Sequence, residues 1–238
     1  MSTYGSSKVV SDGLIFCVDS ANQRSYSGSG TIVNDLKDKK IGNLVNGVGF
    51  SNSLFVFDGT NDYIDCGSIQ LISTSSPFSV EIWCDSTNPA GFPTLLSLKS
   101  NGNNWFLFYA SGELRFGSPS TWYKGSYLTT NSDLQQFHQW VITYNGSGAT
   151  TGSNYAMYKD GVQITISAGA VSTSDSTNTY IGRFSSSSFM HDKRIGIVKL
   201  YNRALTQTEI TQNFNALRGR FGIWVHQQVQ RLVYQKMI

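Results

Sequence analysis

"VFDGTNDYIDCG", residues 56–67, sets three aspartates, an asparagine and two glycines inside a dozen positions. Val56, Phe57, Tyr63 and Ile64 are of the β-branched and aromatic types that favour strands. Between them, "DGTND" is turn chemistry: Asp and Asn oxygens bond nearby amides, and Gly accepts positive φ at low cost. The stretch therefore reads as a hairpin, two strands joined by a tight turn. A second reading is a calcium loop, with Asp58, Asn61 and Asp62 supplying oxygens. The spacing is not that of an EF-hand loop, and Asp62 and Asp65, an odd number apart, would point to opposite faces of a regular strand. The turn is the favoured reading, and no other cofactor is called for.

The rest of the chain repeats this pattern of short apolar runs separated by Gly, Asn, Ser and Asp clusters. "GLIFCVDSA" (13–21) reads as a strand, followed by the flexible loop "SYSGSG" (25–30). "PFSVEIWC" (77–84) alternates Phe78, Val80, Ile82 and Cys84 with Ser79, Glu81 and Trp83. "TLLSLKS", "WFLFYA" and "ELRFGS" are three strands joined at "NGNN" (101–104) and "SG" (111–112), which is hairpin chemistry. "FHQWVITYN" puts Trp140, Ile142 and Tyr144 on one face, "NYAMYKDGVQITIS" turns at Asp160-Gly161, and "NTYIGRF" and "RIGIVKLYN" add two more strands. Turn signals every 8–12 residues or so predict an all-β sandwich of two antiparallel sheets. One short helix near the C-terminus interrupts it. Thr206 can N-cap that helix with Glu209 in a capping box, Ile210, Phe214 and Leu217 form its stripe, and Gly219 suits its end.

Composition agrees. Of 238 residues 14% are charged and 13% aromatic, with 23 glycines and 4 prolines, which suits a β-protein with a neutral polar surface. A chain this long buries roughly 70–75% of its unfolded surface, so no metal or disulfide is needed for stability. Cys17, Cys66 and Cys84 are an odd number in apolar runs and read as small buried thiols. A net charge of +3 does not argue for nucleic acid. The polar N-terminus shows no signal peptide, and no apolar span of about 20 residues predicts membrane insertion.

Taken together and in order, "GLIFCVDSANQRSYSGSG", "FVFDGTNDYIDCG", "FSVEIW", "FHQWVITYNG", "YKDGVQI" and "IGIVKLYNRALTQTEITQNFNALRGRFG" resemble the concanavalin A-like, laminin G-type domains, in the form often met in phage and other virion proteins. The resemblance covers about residues 10–222 and implies a jelly-roll sandwich over 1–222, with 223–238 as a C-terminal extension. It does not imply an activity, because the superfamily holds lectins, adhesive modules, glycoside hydrolases and structural parts.

Chemistry is scarce in the residues themselves. Glycoside hydrolysis needs two carboxyl groups facing one bond, and the Glu-x-Asp-x-x-Glu or Glu-x-Asp-x-Glu strand of the superfamily's hydrolases is missing. The only glutamates are Glu81, Glu113 and Glu209, and Glu81 has just Asp85 near it, four residues on. No catalytic residue is assigned. His138, His191 and His226 belong to no nucleophile motif or zinc cluster. Sugar binding would rest on exposed aromatics and amides: Trp122, Tyr123 and Tyr127 with Asn103 and Asn104. These rings serve equally well as an edge cover or a subunit contact. In the extension, Trp224, Val225, Val229 and Val233 are candidate assembly contacts. A strand or a helix would put residues 225, 229, 233 and 237 on one face, so periodicity does not choose.

The expectation is a non-enzymatic virion structural protein (capsid decoration, fibre or tail-associated subunit) at the virion surface, with copies of itself or other virion proteins as partners. The alternative is a carbohydrate-binding adhesin that attaches to host surface glycans.

Overall fold

The computed structural model describes residues 8–38, 40–69, 76–86, 93–99, 105–110, 112–117, 125–128, 135–147, 154–168, 178–184 and 190–223. The strands are β1 (Leu14–Asp19), β2 (Ile32–Asn34), β3 (Ile41–Val45), β4 (Gly49–Ser51), β5 (Leu54–Val56), β6 (Tyr63–Asp65), β7 (Phe78–Cys84), β8 (Thr94–Lys99) and β9 (Trp105–Ala110). They continue with β10 (Glu113–Gly117), β11 (Gly125–Leu128), β12 (His138–Tyr144), β13 (Tyr155–Lys159), β14 (Val162–Ile164), β15 (Ser167–Ala168), β16 (Asn178–Ile181) and β17 (Arg194–Tyr201). A helix, α1 (Gln207–Leu217), and a 3-10 turn over Arg218–Phe221 close the described chain.

Two antiparallel sheets result. One runs β14-β13-β12-β7-β17-β5-β4, with β1 also paired to β17; the other runs β15-β11-β10-β9-β8-β16-β6-β3-β2. This is the sandwich of two antiparallel sheets that the alternating runs predict, in the jelly-roll form that the resemblance implies. The main core lies between the sheets. Phe78, Val80, Ile82 and Cys84 of β7 and Trp140, Ile142 and Tyr144 of β12 face Leu96, Leu98, Leu107, Tyr109 and Phe116 of the other sheet. The three cysteines are buried and free.

The first sheet is buried on its outer face as well, which explains why every residue of β7 is closed to solvent. There α1 lays Ile210 on Val141, Tyr158, Tyr201 and Leu205, while Phe214 and Leu217 pack on Trp83, Phe137 and Ile197. The expected capping box is present: the Glu209 amide donates to Thr206 Oγ1, and the Thr206 amide donates to Glu209 Oε2. The end of the helix differs from expectation. Gly219 lies inside the 3-10 turn, and Gly222, at φ 69°, takes the left-handed position. The extra turn carries Phe221 back over the sheet, which a stop at Gly219 would not.

Residues 56–67 also differ from the hairpin reading. β5 belongs to the first sheet and β6 to the second, so the stretch is an arch from one sheet to the other. Phe57, expected in a strand, lies past the end of β5 and plugs the gap between sheets. Its amide donates to the Lys193 carbonyl at 2.7 Å. A Cβ on Gly182, at φ 82°, would stand 2.5 Å from the Phe57 ring, so that glycine makes the plug possible. Asp58 then turns the chain, as expected: its Oδ1 accepts the Thr60 amide at 2.8 Å and the Asn61 amide at 3.3 Å. The loop at 25–30, expected to be flexible, starts from a buried Ser25 and Tyr26. The Tyr26 hydroxyl donates back to the Gly30 carbonyl at 3.0 Å.

Candidate functional site

A cleft of about 960 Å³ opens on the outer face of the first sheet, where Asn52–Leu54, Gln135–His138, Arg194 and Arg220–Ile223 converge. An array of aromatic rings builds its wall. Trp83 of β7 stacks on Phe214 of α1 (centroids 5.9 Å apart, planes at 9°) and on Phe221 (4.7 Å, 22°), and Phe221 stacks on Phe137 (4.8 Å, 7°). Gly196 of β17 permits this, because a Cβ there would come within 2.6 Å of Phe221 Cε1 and 3.1 Å of Leu54 Cδ2. Guanidinium groups cover the rings from outside. Arg194 lies 5.4 Å from the Phe137 centroid, and Arg220 lies 5.3 Å from that of Phe221. Contacts of this kind are each worth about 0.5–1 kcal/mol at exposed sites.

Each basic side chain on the rim is held from behind by a carboxylate. Arg194 binds Asp85 through its backbone amide (3.0 Å), Nε (2.9 Å) and Nη2. Arg220 grips Asp19 with two bonds of 2.8 Å. His138 Nδ1 meets Asp160 Oδ2 at 2.6 Å, and Asp160 Oδ1 also accepts the Gln139 amide. The rim is therefore fixed in position, close to neutral, and rich in N–H groups beside flat apolar rings. Such a rim can orient the hydroxyls of a ligand above an apolar floor whose ring faces are taken up by one another and by the guanidinium groups. Among the described residues it presents no pair of uncommitted carboxyl groups.

Residues 58–211 match the laminin G type 3 family of the concanavalin A-like lectin/glucanases superfamily. The chain belongs to that superfamily. Its fold is similar to a Trypanosoma rangeli sialidase (18% identity, 87% of this chain and 33% of that one, TM-score 0.63). It is also similar to the binding domain of Paraclostridial Mosquitocidal Protein 1 (14%, 86% and 52%, 0.64) and to the botulinum neurotoxin serotype D binding domain (15%, 85% and 51%, 0.63). The chain thus spans between a third and about half of these longer chains, and at such identities the likeness is one of fold. No curated protein sequence matches it.

Against the superfamily's hydrolases, the placement of Glu81 is informative. It lies under α1, wholly buried, and both oxygens are occupied. Oε1 accepts from Trp83 Nε1 (2.8 Å), Gln139 Nε2 (3.0 Å) and Lys199 Nζ (3.0 Å), and Oε2 accepts from Asn213 Nδ2 (2.8 Å). Burial by itself would raise its pKa, but Lys199 and these donors outweigh it and hold the carboxyl below the ordinary range. Asn213 extends the network to the Val10 amide and the Tyr201 hydroxyl, locking helix and N-terminal segment to the sheet. Asp85 is spent on Arg194, with Lys193 Nζ 3.6 Å away. The two carboxyls of "VEIWCD" therefore sit in separate structural networks.

The other expected residues fall as follows. Asp58, Asn61 and Asp62 come together in the arch. Tyr127 is in β11, towards one edge of the second sheet. Trp122, Tyr123, Asn103, Asn104, Trp224, Val225, Val229 and Val233 lie outside the described residues. The cleft residues were missed, and their signal is faint. It consists of the phenylalanine of "FHQW" just before β12 and that of "RGRFGI" just after α1, 84 positions apart. Among the described residues, no three of His, Cys, Asp and Glu cluster as a metal site, and no helix is long and apolar enough to cross a membrane.

Proposed function

We propose that the domain is a non-catalytic binding module that attaches to surface glycans through the Phe137–Phe221 cleft, and that a virus particle carries it on its exterior. The observation that carries the binding half is the cleft itself, with flat rings flanked by immobilised guanidinium and amide donors. N–H groups fix a sugar's hydroxyls, and a pocket of a few hundred Å³ or more with a few oriented polar groups over an apolar wall is the usual form of a ligand site. The likeness in fold to two toxin binding domains supports attachment. The particle setting rests on the resemblance of the ordered motifs to virion laminin G-type domains, and on the low charge of the chain.

A glycan array probed with the full chain tests the binding half. The expected result is a defined set of sugar ligands, with signal lost in Phe221→Ala and reduced in Gln136→Ala, whose side chain is exposed. An array without signal, or one unchanged by both substitutions, removes the cleft from the reading. Mass spectrometry of purified particles tests the setting, since finding the chain only as free monomer would refute it.

A further inference from the structure

The closing turn of the fold delivers the chain to the wall of the cleft. Arg218–Phe221 wind as a 3-10 turn, Gly222 at φ 69° reverses the direction, and the Ile223 amide donates back to the Arg218 carbonyl at 3.1 Å. Ile223 then packs, with Leu54 and Phe221, on the cluster that holds Trp83, Phe137 and Phe214, and it lines the cleft. An apolar contact often accompanies a left-handed helix cap. Here it also fixes where the next residues start, which is against the apolar wall.

Past Ile223 the sequence runs "WVHQQVQRLVYQKMI" (224–238), with Trp224, three valines, Leu232 and Tyr234 and no acid. The cleft suits such a segment on two counts. Its floor offers ring edges and methyl groups, because the ring faces are taken up by one another and by Arg194 and Arg220. Branched aliphatic side chains gain contact on such a floor without needing a flat face. Its mouth carries the side-chain amides of Asn52, Gln135 and Gln136, which can donate to backbone carbonyls. A volume of about 960 Å³ is roughly 10 Å across, and residues 224–229 span that distance as a helix or as a strand. A segment joined directly to its site has an effective concentration in the mM range, which the segment of a second copy does not match in dilute solution.

We propose that residues 224–229 fold back into the Phe137–Phe221 cleft of the same chain and compete there with any ligand the cleft takes. Val225 and Val229 share one face in either conformation, and that face meets the apolar floor. The docking rests on the cleft and the sequence alone, whereas the competition rests on the proposed reading of the cleft as a ligand site. The segment covers the apolar wall until a ligand displaces it. Ligand affinity then falls in proportion to the fraction of chains whose cleft is open.

The test uses the full chain and trypsin cleavage of the Arg231–Leu232 bond, with mass spectrometry reading the loss of residues 232–238. Cleavage tracks the undocked fraction, so a chain carrying both Val225→Asp and Val229→Asp should be cut about five- to tenfold faster than wild type. Gln136→Trp, at an exposed position in the mouth of the cleft, should speed the cut by a similar factor without altering the segment. The wild-type rate should not change with chain concentration. A rate that falls as concentration rises would mean that a neighbouring copy supplies the segment, and would overturn the proposal. Equal rates in wild type and the doubly substituted chain would overturn the docking, and a Gln136→Trp rate equal to wild type would overturn the cleft as its place. Titrated with a sugar found on the glycan array, the doubly substituted chain should bind about three- to tenfold tighter. Equal affinity with protection intact would refute the competition. An array silent for both chains would refute the ligand reading, while the cleavage rates would still decide the docking.

Discussion

Lowering the pH from 7.5 to 5.0 should remove about 2 kcal/mol of stability through His191 alone. The residue precedes β17 and is wholly buried, edge-on to Phe57 with ring centroids 5.6 Å apart. Backbone groups of Asp85 and Arg194 lie near, yet neither ring nitrogen completes a hydrogen bond. Burial pulls its pKa from 6.5 down to about 4, against the opposing charges of Asp192 and Asp85. The folded chain thus keeps a neutral ring while the unfolded chain takes up a proton below pH 6.5. Stability is complete above that value and drains away as the pH falls to about 4. At 1.36 kcal/mol per pH unit the full loss is about 3 kcal/mol, two thirds of it incurred by pH 5. Urea unfolding of wild type and His191→Phe at the two pH values measures it, because the contributions of His138 and His226 cancel in the comparison. The phenylalanine variant should lose about 2 kcal/mol less than wild type between the two pH values. Wild-type stability constant to within about 0.5 kcal/mol, or a variant with the whole slope intact, would refute a neutral buried histidine.

Three further outcomes follow from the same geometry. Gly196→Ala drives a methyl into the Phe221 ring and should cost about 1–3 kcal/mol in denaturant unfolding, with loss of any ligand held in the cleft. Lys199→Met leaves Glu81 charged and buried and should cost about 3–5 kcal/mol, whereas adding Glu81→Gln in the same chain should recover most of it. Bonds from Arg203, then those from Thr206, hold Glu209 at a pKa of about 2. The capping box therefore contributes fully above the ordinary value of 4.5 and is lost as the pH falls towards 2; far-ultraviolet circular dichroism of Arg203→Ala should show that loss starting at higher pH.

Much of the sandwich could be read because its signals are local. The alternation in 78–84 and 138–144 needs only a two-residue period to sort core from outer face, and Thr206 with Glu209 spans a single helical turn. Asp58 to Asp62 gave the turn but not its partners, since "DG" chemistry bends a chain whether the next strand joins the same sheet or the opposite one. What decides is Phe57, whose ring fits only because residue 182, more than a hundred positions away in sequence, is a glycine. Gly219 misled for a similar reason. Two glycines were available, and tertiary packing of Phe221 on Trp83 selected Gly222. The cleft has no period at all, because it is assembled from the ends of elements that meet only after folding.

The distribution of carboxylates links these features to the proposed role. Hydrolysis would require two of them facing one open space, and the buried acids of the described fold are committed elsewhere. Glu81 fastens α1 to the sheet, Asp85 and Asp19 brace the two arginines that cover the cleft, and Asp35 binds backbone amides. Asp62 alone among them keeps an unpartnered oxygen, in the arch beside Gly47. If the cleft acted on a bond, substitutions at Glu81 or Asp85 would abolish turnover while leaving ligand affinity nearly intact. If it only binds, the same substitutions would act through stability, and affinity would fall in step with the folded fraction. Measuring ligand affinity against the folded fraction for Glu81→Gln and Asp85→Asn separates the two. We expect the points to lie on the folding curve, because these carboxylates hold the walls of the cleft and neither presents a free oxygen to what enters it.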